Sequence, residues 1–213
     1  MADVIIKMWG YRMEKTLLLC VGPSGSGKST FIHDYLPFYA LKSATTRPMR
    51  DGESNGNPYY FVDESYFDKT PMATRLWVNE RFWTPGKPKW LYGVPEFEIL
   101  ENQNISRGFV YDVIEPKYAR QMLNWFATHR QSLNARYVPY VLYFLPPQNS
   151  LDVVKMRQNM PDDIAVRQTN TCTPMDFLNA NLDIDYLMNP IGGKLSQKFI
   201  RDFGIDISNK KSR

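Results

Sequence analysis

Residues 22–29 read Gly22-Pro23-Ser24-Gly25-Ser26-Gly27-Lys28-Ser29: a glycine, four residues, a second glycine, a lysine and a serine. This is the spacing G-x-x-x-x-G-K-[ST], and each residue type has a physical reason to stand where it does. Glycines let the backbone curl until several N–H groups point at one cluster of phosphate oxygens. The lysine reaches the outer phosphates, and the serine hydroxyl is a ligand for Mg²⁺. Gly22, Ser24, Gly25, Ser26, Gly27, Lys28, Ser29 and Thr30 are therefore candidates for holding a nucleotide's phosphates.

Such a loop works only between a strand and a helix. The apolar run at 17–21 reads as a buried parallel strand that ends at Gly22. Residues 29–35 open a helix whose positive N-terminal end faces the same anion, and Pro37 stops it. Further strands are expected at 76–82, 109–113, 140–145 and 184–188, and helices at 64–69, 96–102, 117–129, 150–160 and 194–203. Strands alternating with helices predict a parallel α/β sheet covered on both faces. Tyr118, Met122, Trp125 and Phe126 fall near helical spacing and are assigned to the core rather than to a stacking platform. His33 and His129 form no metal or nucleophile pair and are read as structural or solvated.

Composition bounds the rest. A chain of 213 residues can bury a sizeable core in one domain. No apolar run approaches the roughly 18 residues needed to span a bilayer, and residues 1–14 make a poor signal peptide. Two cysteines give no disulfide framework, so a reducing cytoplasm is the expected compartment. Cys20 is read as a buried strand residue, and Cys172 has no assigned role. The net charge of +4 suits polyphosphate anions, and no long basic run argues for nucleic acid.

Residues 43–62 hold two arginines three apart, a turn-rich middle and an apolar end. Pro48, Gly52, Gly56 and Pro58 forbid a helix there, leaving loops and short strands. Arg47 and Arg50 can grip a monophosphate dianion with planar, multidentate hydrogen bonds that lysine does not reproduce. The alternative is a solvated surface pair. Tyr59 either adds a phosphate hydrogen bond or is a half-buried strand residue, and a serine before a turn, Ser43, needs no function. Asp112 stands at the end of a strand, where an open α/β sheet exposes its ligand crevice. It either holds Mg²⁺ through water, orients an acceptor, or caps the next helix. Arg157 and Arg167 flank Pro161-Asp162-Asp163, so the segment reads as a lid. Closure of a lid brings arginine to the charge that phosphoryl transfer spreads over oxygen; the alternative is a pair of helix-surface arginines.

Together with the phosphate loop, this segment resembles the guanylate kinases. That family carries a serine, T-T-R, a second arginine three later, G-E and an aromatic Y-x-F strand. Here these are Ser43, Thr45-Thr46-Arg47, Arg50, Gly52-Glu53 and Tyr59-Tyr60-Phe61. The resemblance is tight over residues 17–62 and looser beyond. There the family order is an acid for the base, a Y-G pair, a strand ending in an acid, an arginine-bearing lid and a late asparagine. It is met by Glu80, Tyr92-Gly93, Asp112, Arg157 with Arg167, and Asn189.

The resemblance implies a P-loop NTPase core, a parallel β-sheet flanked by helices, with a small β-containing insertion that binds a nucleoside monophosphate and a short lid. In one domain, the core takes 14–42, 95–155 and 171–207, the insertion 43–94 and the lid 156–170. It implies transfer of the ATP γ-phosphoryl group to GMP or dGMP, with ATP and Mg²⁺ required. Lys28 would neutralise the transferred group, Ser29 and Asp112 would serve Mg²⁺, Asn189 would touch ATP, and Arg157 or Arg167 would stabilise the transition state. Ser43, Arg47, Arg50, Glu53, Tyr59, Glu80, Tyr92 and Gly93 would hold the acceptor. Small-molecule nucleotides are the expected partners of a monomer or homodimer, with no nucleic acid and no membrane.

Three departures mark a divergent member. Val94 stands where the family has a serine or threonine touching guanine. The stretch between Glu80 and Tyr92 is long and carries Pro85-Gly86-Lys87-Pro88. After Asp112 come Val113 and Ile114, with Glu115 one step later than the family's second acid. Two other readings stay open: the same scaffold acting on another nucleotide or a sugar phosphate, and a non-catalytic binding module, against which Lys28 argues.

Overall fold

The structure is a computed structural model, and it describes residues 13–23, 26–78, 90–105, 107–113, 115–145, 172–188 and 197–205. In chain order the elements are β1 Glu14–Val21, α1 Lys28–Tyr35, β2 Tyr39–Ala40, β3 Ala44–Thr45, β4 Tyr60–Phe61, α2 Tyr66–Lys69, β5 Leu76–Val78, β6 Trp90–Gly93, α3 Glu96–Asn102, β7 Gly108–Val113, α4 Pro116–Thr128, β8 Arg136–Phe144, α5 Pro174–Asn179, β9 Tyr186–Met188 and α6 Gln197–Phe203.

Five strands form the central sheet in the order β2-β7-β1-β8-β9. Every pairing in it is parallel. Side chains alternate across a strand, so the central strands must be apolar on both faces. Leu17, Leu19, Val21, Phe109, Tyr111 and Val113 point to one face, where Tyr118, Ala119, Met122, Trp125 and Phe126 of α4 cover them. Leu18, Cys20 and Val110 point to the other, against Phe31 and Ile32 of α1 and Phe199 and Phe203 of α6. The predicted two-faced α/β sheet is what the chain forms.

A second, four-stranded sheet has the order β4-β3-β6-β5. Its strands run from two to four residues, with β3 parallel to β4 and antiparallel to β6. Two-residue strands hold little on their own. Side chains brace them: Thr46 Oγ1 accepts the Leu91 N–H at 2.8 Å, Thr74 Oγ1 the Val94 N–H at 3.0 Å, and Asn55 Oδ1 the Phe61 N–H at 2.9 Å.

Several boundaries differ from the sequence reading. β8 begins at Arg136 rather than 140, because Pro139 sits where the strand pairs with β1 alone. β9 joins only at residues Leu142 to Phe144, so the missing N–H of Pro139 breaks no ladder. β9 itself is confined to Tyr186–Met188, and α2 to one turn. Helix Pro174–Asn179 was not expected; a proline in its first turn and Thr173 before it carry the signal. Strand β5 is described to Val78, and the expected helix at 150–160 lies outside the described residues.

Gly108 opens β7 with φ +111°, and a Cβ there would fall 2.0 Å from the Thr16 carbonyl oxygen. Gly52 also has positive φ, +82°, but nothing lies within 4 Å of its missing Cβ. Gly108→Ala should therefore destabilise the fold by roughly 2–4 kcal/mol, backbone strain plus overpacking. Gly52→Ala should cost only the strain, about 1–2 kcal/mol. Urea unfolding of both variants checks the order; equal losses would contradict it.

Candidate active site

The phosphate-loop end of the site is built by three neighbouring pieces of backbone. β1 runs out at Val21 beside Val113 of β7, and the Gly22 N–H donates to the Val113 carbonyl at 3.3 Å. Gly22 then passes so close to β8 that a Cβ would stand 2.5 Å from the Phe144 carbonyl oxygen. Gly27 turns the chain with φ +86° into α1, and its carbonyl accepts the Phe31 N–H at 2.9 Å. Ser26 is fully buried, and its Oγ has no hydrogen-bond partner among the described residues. A buried hydroxyl so placed is suited to a polar ligand atom. Ser24 and Gly25 lie outside the described residues.

At the start of α1, Lys28 is buried and Ser29 and Thr30 are exposed. Lys28 Nζ donates to the carbonyls of Gly22 at 2.8 Å and Pro23 at 3.0 Å, and it stands 3.7 Å from Asp112 Oδ1. Ser29 Oγ donates to Asp112 Oδ2 at 2.7 Å. Residues 83 apart in sequence thus meet at the ends of β1 and β7. Asp112 caps no helix: the N-cap of α4 is Glu115, and the carboxylate of Asp112 faces the loop instead. The serine hydroxyl and the carboxylate are hard oxygen donors side by side. They fit Mg²⁺, which takes one or two protein oxygens and keeps water and phosphate for the rest. Among the described residues no group of three or more His, Cys, Asp or Glu is arranged to hold a metal.

The arginine end lies on the second sheet. Arg47 is buried at 4% exposure, which excludes a solvated surface pair. A buried cation must be compensated. Its Nη2 donates to Glu53 Oε1 at 2.8 Å and its Nη1 to the Pro48 carbonyl at 2.7 Å. The guanidinium carbon stands 5.5 Å from the Tyr59 ring centre and 5.3 Å from that of Phe61. Residues two apart share a face of an extended chain, so Tyr59 and Phe61 form one aromatic bed. Glu53 Oε2 accepts the Arg50 backbone N–H at 2.8 Å. Both oxygens of Glu53 are thus engaged in holding the arginines, a different task from the acceptor contact expected of it. Arg50 Nη2 is buried without a hydrogen-bond partner among the described residues.

Tyr92 is buried and edge-on to Tyr59 at 5.7 Å between ring centres. Gly93 has a packing reason: a Cβ would fall 2.2 Å from the Thr74 carbonyl oxygen. Ser43 is half-buried. Val94 is fully buried in the core cluster, with its N–H donated to Thr74 Oγ1. Thr74 escaped the sequence reading, although its hydroxyl lies 3.1 Å from that of Tyr111 and links Val94 to β7. Phe61 was read only as part of the aromatic strand, and its place under Arg47 was not assigned; its alternation with Tyr59 was the available signal. Glu80, Arg157, Arg167 and Asn189 lie outside the described residues.

Burial opposes ionisation of Glu53, but the Arg47 hydrogen bond and the Arg50 N–H outweigh it and hold the carboxyl below its usual range. The ionised pair therefore adds stability above the unfolded value of about 4.3. That contribution is lost as pH falls through the lower folded value. Melting wild type and Glu53→Gln across pH should show a stability gap that is steady above about pH 6 and closes on acidification. A gap that widens toward acid would contradict the sign.

The Guanylate kinase family model matches residues 13–85, the phosphate loop and the arginine segment together. A guanylate kinase of Prochlorococcus marinus (strain MIT 9312) is 32% identical over 142 residues, 64% of this chain and 68% of the relative. One from Carboxydothermus hydrogenoformans is 27% identical over 206 residues, 89% of this chain and 92% of the relative. One from Nostoc sp. (strain PCC 7120) is 38% identical over 114 residues, and there the match spans 54% of the relative's length. With the loop, Asp112 and the paired arginines assembled as described, the chain belongs to the guanylate kinase family.

Proposed function

We propose that the protein transfers the γ-phosphoryl group of ATP to GMP or dGMP, giving ADP and GDP or dGDP. The observation that carries this reading is Lys28, Ser29 and Asp112 in mutual contact at the loop, with a phosphate-sized demand elsewhere for the buried Arg50 Nη2. An oxygen of the acceptor phosphate attacks the γ-phosphorus as the bond to the bridging oxygen of ADP breaks. No covalent intermediate is needed, because positioning and electrostatics supply the catalysis.

Lys28 is 3.7 Å from Asp112 and bonded to the loop's own carbonyls, so its ammonium can swing to phosphate oxygens without leaving the loop. Ser29 and Asp112 would hold Mg²⁺, which would supply neutralisation of the charge on the transferred phosphate. Arg47 and Arg50 would bind the acceptor's dianion, with Glu53 setting their orientation and Tyr59 and Tyr92 closing the pocket. For Arg157, Arg167, Glu80 and Asn189 we keep the roles that the family order implies. Residues 43–94 would then be the acceptor-binding insertion, 156–170 the lid, and 14–42, 95–155 and 171–207 the core. Small-molecule nucleotides are the partners we infer. Among the described residues no helix is long and apolar enough to cross a membrane. Both cysteines are buried, and we infer a reducing cytoplasm from the absence of a disulfide framework in the sequence.

One observation favours a different acceptor base on the same scaffold. Val94 brings no side-chain hydroxyl, and its N–H is committed to Thr74. An ADP-release assay against GMP, dGMP, AMP, CMP and dTMP decides between bases. Turnover with GMP or dGMP is expected. Lys28→Ala should lower kcat by about 10²-fold or more. Arg47→Ala should raise the acceptor KM about tenfold to a hundredfold, and Arg47→Lys should not restore it, since an ammonium lacks the planar fork. Turnover with another base alone would keep the kinase and discard guanine. Silence across the panel, without stabilisation of the fold by ATP, would leave a binding module.

A further inference from the structure

Glu98 is a carboxylate for which phosphoryl transfer has no use, and it is 1% exposed. Burying a charge is costly unless hydrogen bonds compensate it, so its partners are informative. Oε1 accepts the Lys42 backbone N–H at 3.0 Å, and Oε2 accepts the Tyr60 hydroxyl at 2.6 Å. Burial and then the nearby Glu98 charge push the Tyr39 hydroxyl up to about 12. These groups come from separate parts of the fold. Tyr39 is on β2, at the edge of the central sheet; Lys42 is in the connection between the sheets; Tyr60 is on β4, at the edge of the second sheet.

β4 is two residues long and pairs only through Ala44 with Tyr60 and Thr45 with Phe61. Alternation puts Tyr60 on one face of the extended segment, and Tyr59 and Phe61 on the other. The second face is the aromatic bed under Arg47. A strand gripped through Tyr60 therefore presents the arginine at a set distance from the central sheet, and the grip is Glu98. Burial and then Glu98 push the Tyr60 hydroxyl well above its ordinary pKa, so it remains a donor throughout the neutral range.

We propose that Glu98 is a positioning residue for the acceptor site: by tying β4 to the Lys42 backbone between the sheets, it fixes Arg47 relative to the phosphate loop. This rests on the acceptor reading given above. Glu98 touches no reacting atom, so its removal should be felt in acceptor affinity and not in the chemistry or in ATP binding.

Two variants test it, Glu98→Gln, which keeps the shape, and Tyr60→Phe, which removes only the hydroxyl and should fold if the first does not. Steady-state kinetics should show the GMP KM raised about tenfold in each, equivalent to about 1.4 kcal/mol. The ATP KM should change by less than about twofold, and the double variant should be no worse than Glu98→Gln alone, because both act through one contact. Calorimetric titration with GMP should show the same loss in Kd. A fall in melting temperature with all kinetic and binding constants unchanged would overturn the proposal and leave Glu98 a purely structural residue. So would an equal loss for ATP and GMP. A wild type that binds GMP without turning it over would overturn the transferase reading, while the Kd of the variants still decides for or against Glu98. A wild type that does not bind GMP would overturn both.

Discussion

Cys20 lies opposite Asp112 in the parallel pairing of β1 with β7, and the site depends on that register. A slip of one residue would turn every side chain of β7 to the other face. Asp112 would then enter the cluster that holds Trp125 and Phe126, while Tyr111 and Phe109 would leave it. Neither exchange is tolerable, since one buries an unpaired charge and the other forces two aromatic rings into the cluster already packed under α1 and α6. The apolar pattern of two strands therefore fixes where a carboxylate meets a loop far away in sequence. Lys28 and Ser29 need only be the first residues of the next helix to find it.

The second sheet is held by a different kind of force. Its strands are too short for a ladder to align them, and polar side chains do the aligning: Thr46, Asn55, Thr74 and Glu98 each tie a backbone N–H or a hydroxyl across a gap. The buried cation of Arg47 is compensated on its edge by Glu53 and on its faces by Tyr59 and Phe61. That arrangement leaves the guanidinium oriented but balanced in charge. Directional bonds of this kind specify position more sharply than apolar packing, at the cost of a large penalty for any that go unmade.

The sequence was most readable where chemistry fixes spacing. The loop from Gly22 to Ser29 and the pair Arg47 and Arg50 stand out because each residue type is required at its position. Asp112 was found from strand-end logic, which a parallel sheet enforces. What stayed hidden was set by tertiary partners. Glu98 sits in an ordinary helical run, Glu-Phe-Glu-Ile-Leu, and nothing in it says that one of the two acids is fully buried and the other only partly. Thr74 reads as a loop residue until Val94 and Tyr111 are beside it. Pro139 disguised the first half of β8, since a proline is excluded from a strand only when both of its edges are paired. Gly93, expected to touch a substrate, is required by the Thr74 carbonyl behind it.

Cys20 ends β1 just below the loop, fully enclosed, and burial together with the nearby Asp112 carboxylate pushes its thiol well above the ordinary value, only partly offset by Lys28. Cys172, the other cysteine of the chain, is buried too, at 4% exposure. A thiol attacks and is attacked as the thiolate, and a buried neutral sulfur meets neither oxidant nor electrophile. Modification at cysteine must therefore wait for the fold to open, so resistance to thiol-directed alkylating agents is tied to how rarely the strands around Cys20 part.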